Sequence, residues 1–165
     1  MKFLLSASLV LFCSSAITTG SDCTESDSFV IKNAMQSTGA YLTLDVKKNT
    51  LRGGNLQRNG QPKDNQIWRW LNCEDGSFLT IGGKFLVYDP SNKKKPLRVV
   101  GSTSGLSGTV WNYRDYSGEL FNLDSGKVVS LIGWPSKKVV MIDEGEPTST
   151  LPLWTLRDAE SCRWC

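Results

Sequence analysis

The feature that most constrains this chain is a repeat. Trp68, Trp111 and Trp154 stand 43 residues apart twice over. Each lies in a similar phrase of apolar residue, Trp, polar residue and large apolar residue: Ile67-Trp68-Arg69-Trp70, Val110-Trp111-Asn112-Tyr113 and Leu153-Trp154-Thr155-Leu156. Other marks keep the same step. Tyr41-Leu42-Thr43-Leu44 matches Phe85-Leu86-Val87-Tyr88 and Val128-Val129-Ser130-Leu131. Gly-bearing turns precede these runs, and lysine groups follow them: Lys47-Lys48, Lys93-Lys94-Lys95 and Lys137-Lys138. The repeats run over about 26–70, 71–113 and 114–157. Each holds up to four short β-rich runs between Gly, Asn, Pro and Ser, and none shows a convincing helical period. One such unit cannot bury its own apolar face, so three must close on one another. Twelve short strands under pseudo-threefold symmetry describe a β-trefoil, a six-stranded barrel capped by three hairpins. The competing all-β reading is a sandwich or barrel in which the period is accidental. A propeller needs four or more blades, and three repeats are too few.

The chain of 165 residues has room for one such domain. Residues 1–20 carry a secretory-signal layout: the basic Met1-Lys2 start, an apolar run over 3–12, then small residues suited to cleavage after Ala16 or Gly20. The run is half the ~20 residues that a membrane-spanning helix needs. The expectation is a secreted, extracellular protein without a transmembrane segment, whose mature part, 21–165, is a single β-trefoil domain. Its cysteines are then Cys23, Cys73, Cys162 and Cys165, an even set that in an oxidising compartment implies two disulfides out of three possible pairings. If the termini of the compact domain meet, Cys23 pairs with Cys162 or Cys165, and Cys73 takes the other. Cys162-x-x-Cys165 without a second such pair is a poor zinc or redox motif.

Absences narrow the chemistry. There is no histidine, which removes Ser-His-Asp and Cys-His nucleophilic sites, HExxH zinc sites and imidazole bases. No phosphate-binding loop or dinucleotide fingerprint occurs, and no metal or cofactor is expected. A net charge of +3, from 19 basic and 16 acidic residues, is too small to argue for nucleic acid. Asp143, Glu144 and Glu146 cluster in a Pro/Gly-rich loop and read as solvated charge, so the expectation is a protein without catalysis.

Three repeats of this length, each closing on a Gln-x-Trp-like phrase, resemble the ricin B-type (R-type) lectin domain over residues 26–157. The phrase is intact in the first repeat, Asp64-Asn65-Gln66-Ile67-Trp68; the second has Thr109 and the third Pro152 in place of Gln. The resemblance implies that the three tryptophans are core. It also implies a sugar site built on an Asp that follows the second strand of a repeat. Asp45 and Asp89 fit, while the third repeat has Ile132-Gly133 there. A carboxylate accepts charge-assisted bonds from vicinal hydroxyls, and an amide adds a donor and an acceptor. By resemblance Asn65 is that amide and Gln66 braces Asp45. The bland reading of Asp45 is a turn residue bonding its own backbone. The aromatic that family sites place about fifteen residues past the Asp is missing. Gln57 and Asn59 offer hydrogen bonds there, and Trp70, Tyr113 or Trp134 would have to supply a ring from elsewhere. The implied partners are glycans or glycoproteins of galactose or N-acetylgalactosamine type, with the oligomeric state left open.

Two other functions have sequence support. The seven lysines of the three turns would form a basic surface on the hairpin cap, suited to anionic glycans, phospholipid headgroups or an acidic protein. Solvated tips guarded by Lys are the plain explanation, and no interleaved aromatics suit single-stranded nucleic acid. A trefoil protease inhibitor would need a long exposed loop. Gly101–Gly108 and Asp143–Pro152 qualify by length but hold no Lys or Arg for a trypsin-like enzyme.

Overall fold

The structure is a computed structural model that describes residues 22–34, 40–132, 138–145 and 153–161. The leader over 1–20, the turn at 37–39, Trp134, Lys137, residues 146–152, Cys162 and Cys165 lie outside the described residues. The chain is a β-trefoil, with thirteen strands and no α-helix among the described residues. The first repeat supplies β2 (Phe29–Asn33), β3 (Tyr41–Asp45), β4 (Thr50–Gly54) and β5 (Arg69–Cys73). The second supplies β6 (Gly76–Ile81), β7 (Lys84–Tyr88), β8 (Leu97–Val100) and β9 (Trp111–Arg114). The third supplies β10 (Glu119–Asn122), β11 (Lys127–Ile132), β12 (Lys138–Asp143) and β13 (Trp154–Asp158). The strand beyond the expected twelve is an N-terminal stub, β1 (Thr24–Glu25).

The first and fourth strands of each repeat build the barrel. The fourth strand of one repeat pairs with the first of the next, β5 with β6 and β9 with β10. The last strand, β13, closes the ring on β2, with Trp154 opposite Asn33 and Asp158 opposite Phe29. Within repeats, bridges at Phe29–Trp68 and Phe78–Val110 join first strand to fourth. The hairpins β3–β4, β7–β8 and β11–β12 form the cap. Asn49, at φ 51° in the β3–β4 turn, pins two hairpins together. Its Nδ2 donates to the Val99 carbonyl and its Oδ1 accepts the Val99 N–H, both at 3.0 Å. Asn tolerates this left-handed conformation better than most residues.

The 43-residue period has a direct physical counterpart. Trp68, Trp111 and Trp154 are fully buried in one core. Each indole N–H donates to a carbonyl on the second strand of its own repeat: Leu42 at 3.0 Å, Leu86 at 2.9 Å and Val129 at 2.8 Å. Those acceptors occupy the same position of the three matched strand runs. A buried Trp must find a partner for its N–H, so the spacing between Trp and second strand is fixed three times. Second strands such as β3 are buried on both faces. Leu42 and Leu44 enter the main core, while Tyr41 packs with Val30 in a side cluster. They therefore read as near-continuous apolar runs.

The disulfide pairing differs from the expectation. The barrel does bring the chain's first and last barrel strands together, yet Cys23 bonds Cys73, not Cys162 or Cys165. The reason is register. Antiparallel β1 sets Thr24 opposite Asn72, so the next pair outward is Cys23 and Cys73, with Cα atoms 4.3 Å apart.

Candidate functional site

The first repeat gathers Asp45, Asn65 and Gln66 by folding the segment 55–66 back across the β3–β4 hairpin. Asp45 ends β3, opposite Thr50. Its Oδ1 accepts the Lys48 N–H at 3.1 Å, so one oxygen closes its own turn. Asn65 lies in a short 3-10 turn, Asp64–Gln66. Its Nδ2 donates to the Leu44 carbonyl at 2.7 Å, which sets the amide beside the residue that carries the carboxylate. Among the described residues nothing bonds Asp45 Oδ2 or Asn65 Oδ1.

Gln66 does not brace Asp45. It is fully buried and ties the loop to the hairpin. Its Oε1 accepts the Lys63 N–H at 3.0 Å, and its Nε2 donates to Thr43 Oγ1 at 3.0 Å and the Asn55 carbonyl at 3.1 Å. An amide meets these demands because it holds donor and acceptor in one plane. Gly54 makes room, since a Cβ there would stand 2.3 Å from Thr43 Oγ1 and 3.2 Å from Gln66 Nε2. Gln57 and Asn59 are spent within the loop. Gln57 Nε2 donates to the Pro62 carbonyl at 2.9 Å, and Asn59 bonds Gln61 twice, side chain to side chain at 2.9 Å and to its N–H at 3.1 Å.

Asp89 occupies the corresponding place in the second repeat and is fully engaged. Its Oδ1 accepts the Ser91 hydroxyl at 2.6 Å, the Ser91 N–H at 3.1 Å and the Asn92 N–H at 3.3 Å. Its Oδ2 meets Arg98 at 3.2 Å. The Ser91 hydroxyl first, then the Arg98 guanidinium, hold its carboxyl below the usual carboxylate range. In the third repeat Ile132 stands half-exposed where an Asp would be needed, and Gly133 lies outside the described residues. Trp70 and Tyr113, the possible ring donors, lie at the open end of the barrel, in a pocket whose lining includes neither Asp45 nor Asn65. Trp134, the third, is outside the described residues.

The lysine turns converge in part, since Lys47 and Lys48 do not reach the cavity that the others line. Lys47 and Lys48 lie in the β3–β4 turn, Lys93–Lys95 in the β7–β8 turn, and Lys138 opens β12. Lys93, Lys94, Lys95 and Lys138 line a cavity of about 390 Å³ to which all three hairpins contribute, with Leu51, Tyr88 and Val139 also in its wall. Five ion pairs occur among the described residues, Glu25–Arg69, Asp89–Arg98, Arg114 with Glu119 and Glu144, and Lys127–Asp143. None takes a cap lysine. Lys138 instead faces Arg52 across the β12–β4 bridge, a like-charge pair. The sequence places the lysines; Tyr88 in this cavity it does not reveal, because the strand β7 reads simply as core. Asp143 and Glu144, from the acidic loop, are held by Lys127 and Arg114.

The fold and this geometry define a β-trefoil with an incomplete polar site in its first repeat and a basic cavity in its cap. No family profile and no curated protein matches the sequence. Solved structures resemble the chain in fold. A designed three-fold symmetric protein, ThreeFoil, superposes with a TM-score of 0.57 at 19% identity, covering 79% of this chain and 98% of that one. The GlcNAcα1-4Gal-releasing endo-β-galactosidase from Clostridium perfringens superposes with a TM-score of 0.57 at 14% identity over 79% of this chain. This chain spans about a third, 32%, of that enzyme. At these identities the likeness concerns the fold.

Proposed function

We propose that this protein is a secreted carbohydrate-binding protein acting without catalysis, and that its first repeat takes galactose- or N-acetylgalactosamine-type glycans. The observation that supports this reading is the Asn65–Leu44 bond, which ties the amide to the residue next to Asp45 in the one repeat with an intact Gln-x-Trp phrase. A fold neighbour that acts on a galactoside-containing glycan supports the substrate class. The leader-like start and the Cys23–Cys73 disulfide support an oxidising, extracellular setting. The test is a glycan array with residues 21–165 and two variants. Asp45→Asn keeps a turn-closing side chain and removes the charge, and Asn65→Ala removes the amide. Loss of binding to neutral galactosides in both, with an unchanged unfolding midpoint, is the expected result. Undiminished binding in both variants overturns the site.

A second reading is favoured by the cap cavity. Four lysines without carboxylate partners around one opening suit an anionic glycan or another acidic partner. Replacing Lys93, Lys94 and Lys95 by Gln should then weaken binding to sulfated glycans and flatten its salt dependence. Binding that is independent of salt and survives the triple change removes this reading.

A further inference from the structure

The residue two places past each core tryptophan is Trp70, Tyr113 or Leu156, and the fold brings these three equivalent positions to one place. They line a pocket of about 260 Å³ at the barrel end opposite the cap, together with Asn72, Asn112 and Asp115. The two rings are fixed before any ligand arrives. The Tyr113 hydroxyl donates to the Trp154 carbonyl at 2.7 Å. Trp70 leans on Phe29 with ring centroids 5.9 Å apart, and its backbone N–H is held by Ser26 Oγ at 2.9 Å. All three side chains are half-buried against the core.

The polar groups around the rings are oriented too. Asn72 Oδ1 accepts the Ser77 hydroxyl at 2.7 Å, and Asn112 Oδ1 accepts the Tyr113 N–H at 2.7 Å. Both amides are thereby turned so that their NH₂ groups remain as donors. The Asp115 carboxylate and the Trp70 indole N–H have no partner among the described residues. A pocket with a fixed aromatic floor, amide donors and a carboxylate acceptor matches a sugar ring, which offers an apolar C–H face and hydroxyls that both donate and accept. The cap cavity, walled by lysines, has the opposite character.

We infer that the open mouth of the barrel is a saccharide-binding site in its own right, seating one neutral hexose ring against Trp70 and Tyr113, with Asn72, Asn112 and Asp115 bonding its hydroxyls. The inference rests on the reading of the protein as a glycan binder and adds a second place of contact, so one chain would hold two sugars and gain avidity for branched or clustered glycans.

The test uses residues 21–165 labelled with ¹⁵N and titrated with galactose, N-acetylgalactosamine, glucose and mannose. The expected result is movement of the Trp70 indole resonance and the Asn72 and Asn112 side-chain amides with at least one sugar. It should persist in Asp45→Asn, with an affinity about tenfold lower in Asn112→Ala and in Asp115→Ala, each having lost one hydrogen bond. Both changes are at exposed positions, and an unchanged backbone spectrum certifies the fold. Shifts confined to residues around Asp45 and Asn65 overturn the mouth site and leave the first-repeat reading standing. Shifts confined to the mouth establish it and overturn the first-repeat site. Silence at both places with all four sugars, and a blank glycan array, overturns both.

Discussion

The hairpins of the first and second repeats begin alike and end differently. Asp45 ends the second strand of its repeat and Asp89 follows its own, and both close the following turn with a carboxylate oxygen. Asp89 goes further, binding the Ser91 hydroxyl and Arg98, so neither oxygen remains. Behind the hairpins the bracing differs as well. Gln66 ties the first repeat together from inside. In the second repeat Thr109 stands at that position, and the Asp124 carboxylate instead accepts the Gly108 and Thr109 N–H groups at 2.7 and 3.1 Å. A pseudo-symmetric fold thus keeps its strands and tryptophans while each repeat solves its loop hydrogen bonding separately. Where a nearby Arg answers an Asp, the hairpin gains a rigid turn and gives up a ligand contact.

The largest effect should come from what the repeats share. Trp68→Ala and Trp111→Ala should each cost about 3–5 kcal/mol in chemical denaturation. Costs that differ by more than about 2 kcal/mol would mean that the symmetry of the core is only apparent. Next comes the brace that they do not share. Gln66→Ala removes a fully buried amide and its three bonds to Thr43, Asn55 and Lys63, and should cost on the order of 2–3 kcal/mol. Thr109→Ala, whose backbone N–H and not its side chain carries the Asp124 bond, should cost about 1 kcal/mol or less; equal losses would erase the distinction.

A finer contrast lies in pH. The Asp89 carboxyl is held low in the folded state. Its contribution to stability is therefore present above the unfolded value of about 3.9 and is lost as pH falls through the lower folded value. The gap in urea midpoint between wild type and Asp89→Asn should accordingly narrow from pH 5 toward pH 2, and a gap that does not depend on pH contradicts the assignment. The smallest effect should be on stability at the cap. Changing Lys93, Lys94 and Lys95 to Gln should move the unfolding free energy by no more than about 0.5 kcal/mol at moderate salt. A clear stabilisation would show that mutual repulsion around the cavity is larger than screening allows.

Much of the fold is legible in the sequence. The Trp period marked the repeats because burying an indole and bonding its N–H fixes a spacing, and the chain must write that spacing three times. The candidate site was legible only in part. Asn65 bonds the carbonyl of Leu44, the chain neighbour of Asp45, but the motif gave Gln66 the wrong partner. A buried amide is oriented by the groups around it, and Thr43, Asn55 and Lys63 lie up to 23 residues away in sequence. Gln57 and Asn59 looked available because hydrogen bonds inside a loop leave no pattern in the sequence. The disulfide pairing is hidden from the sequence for a related reason. Cys23 and Cys73 are 50 residues apart, and a two-residue stub strand, too short to be read, sets their register.

The repeat number, the all-β class, the core tryptophans and the lysine turns are written in the chain, since all of these are periodic and local patterns record them. The tertiary structure alone decided that Arg98 occupies Asp89, that Cys23 bonds Cys73, that Lys138 joins Lys93, Lys94 and Lys95 around one cavity, and that Trp70 and Tyr113 share a pocket with Asn72, Asn112 and Asp115. Those are contacts between repeats or across loops, and their partners are chosen by register and by closure of the barrel, which no one segment encodes.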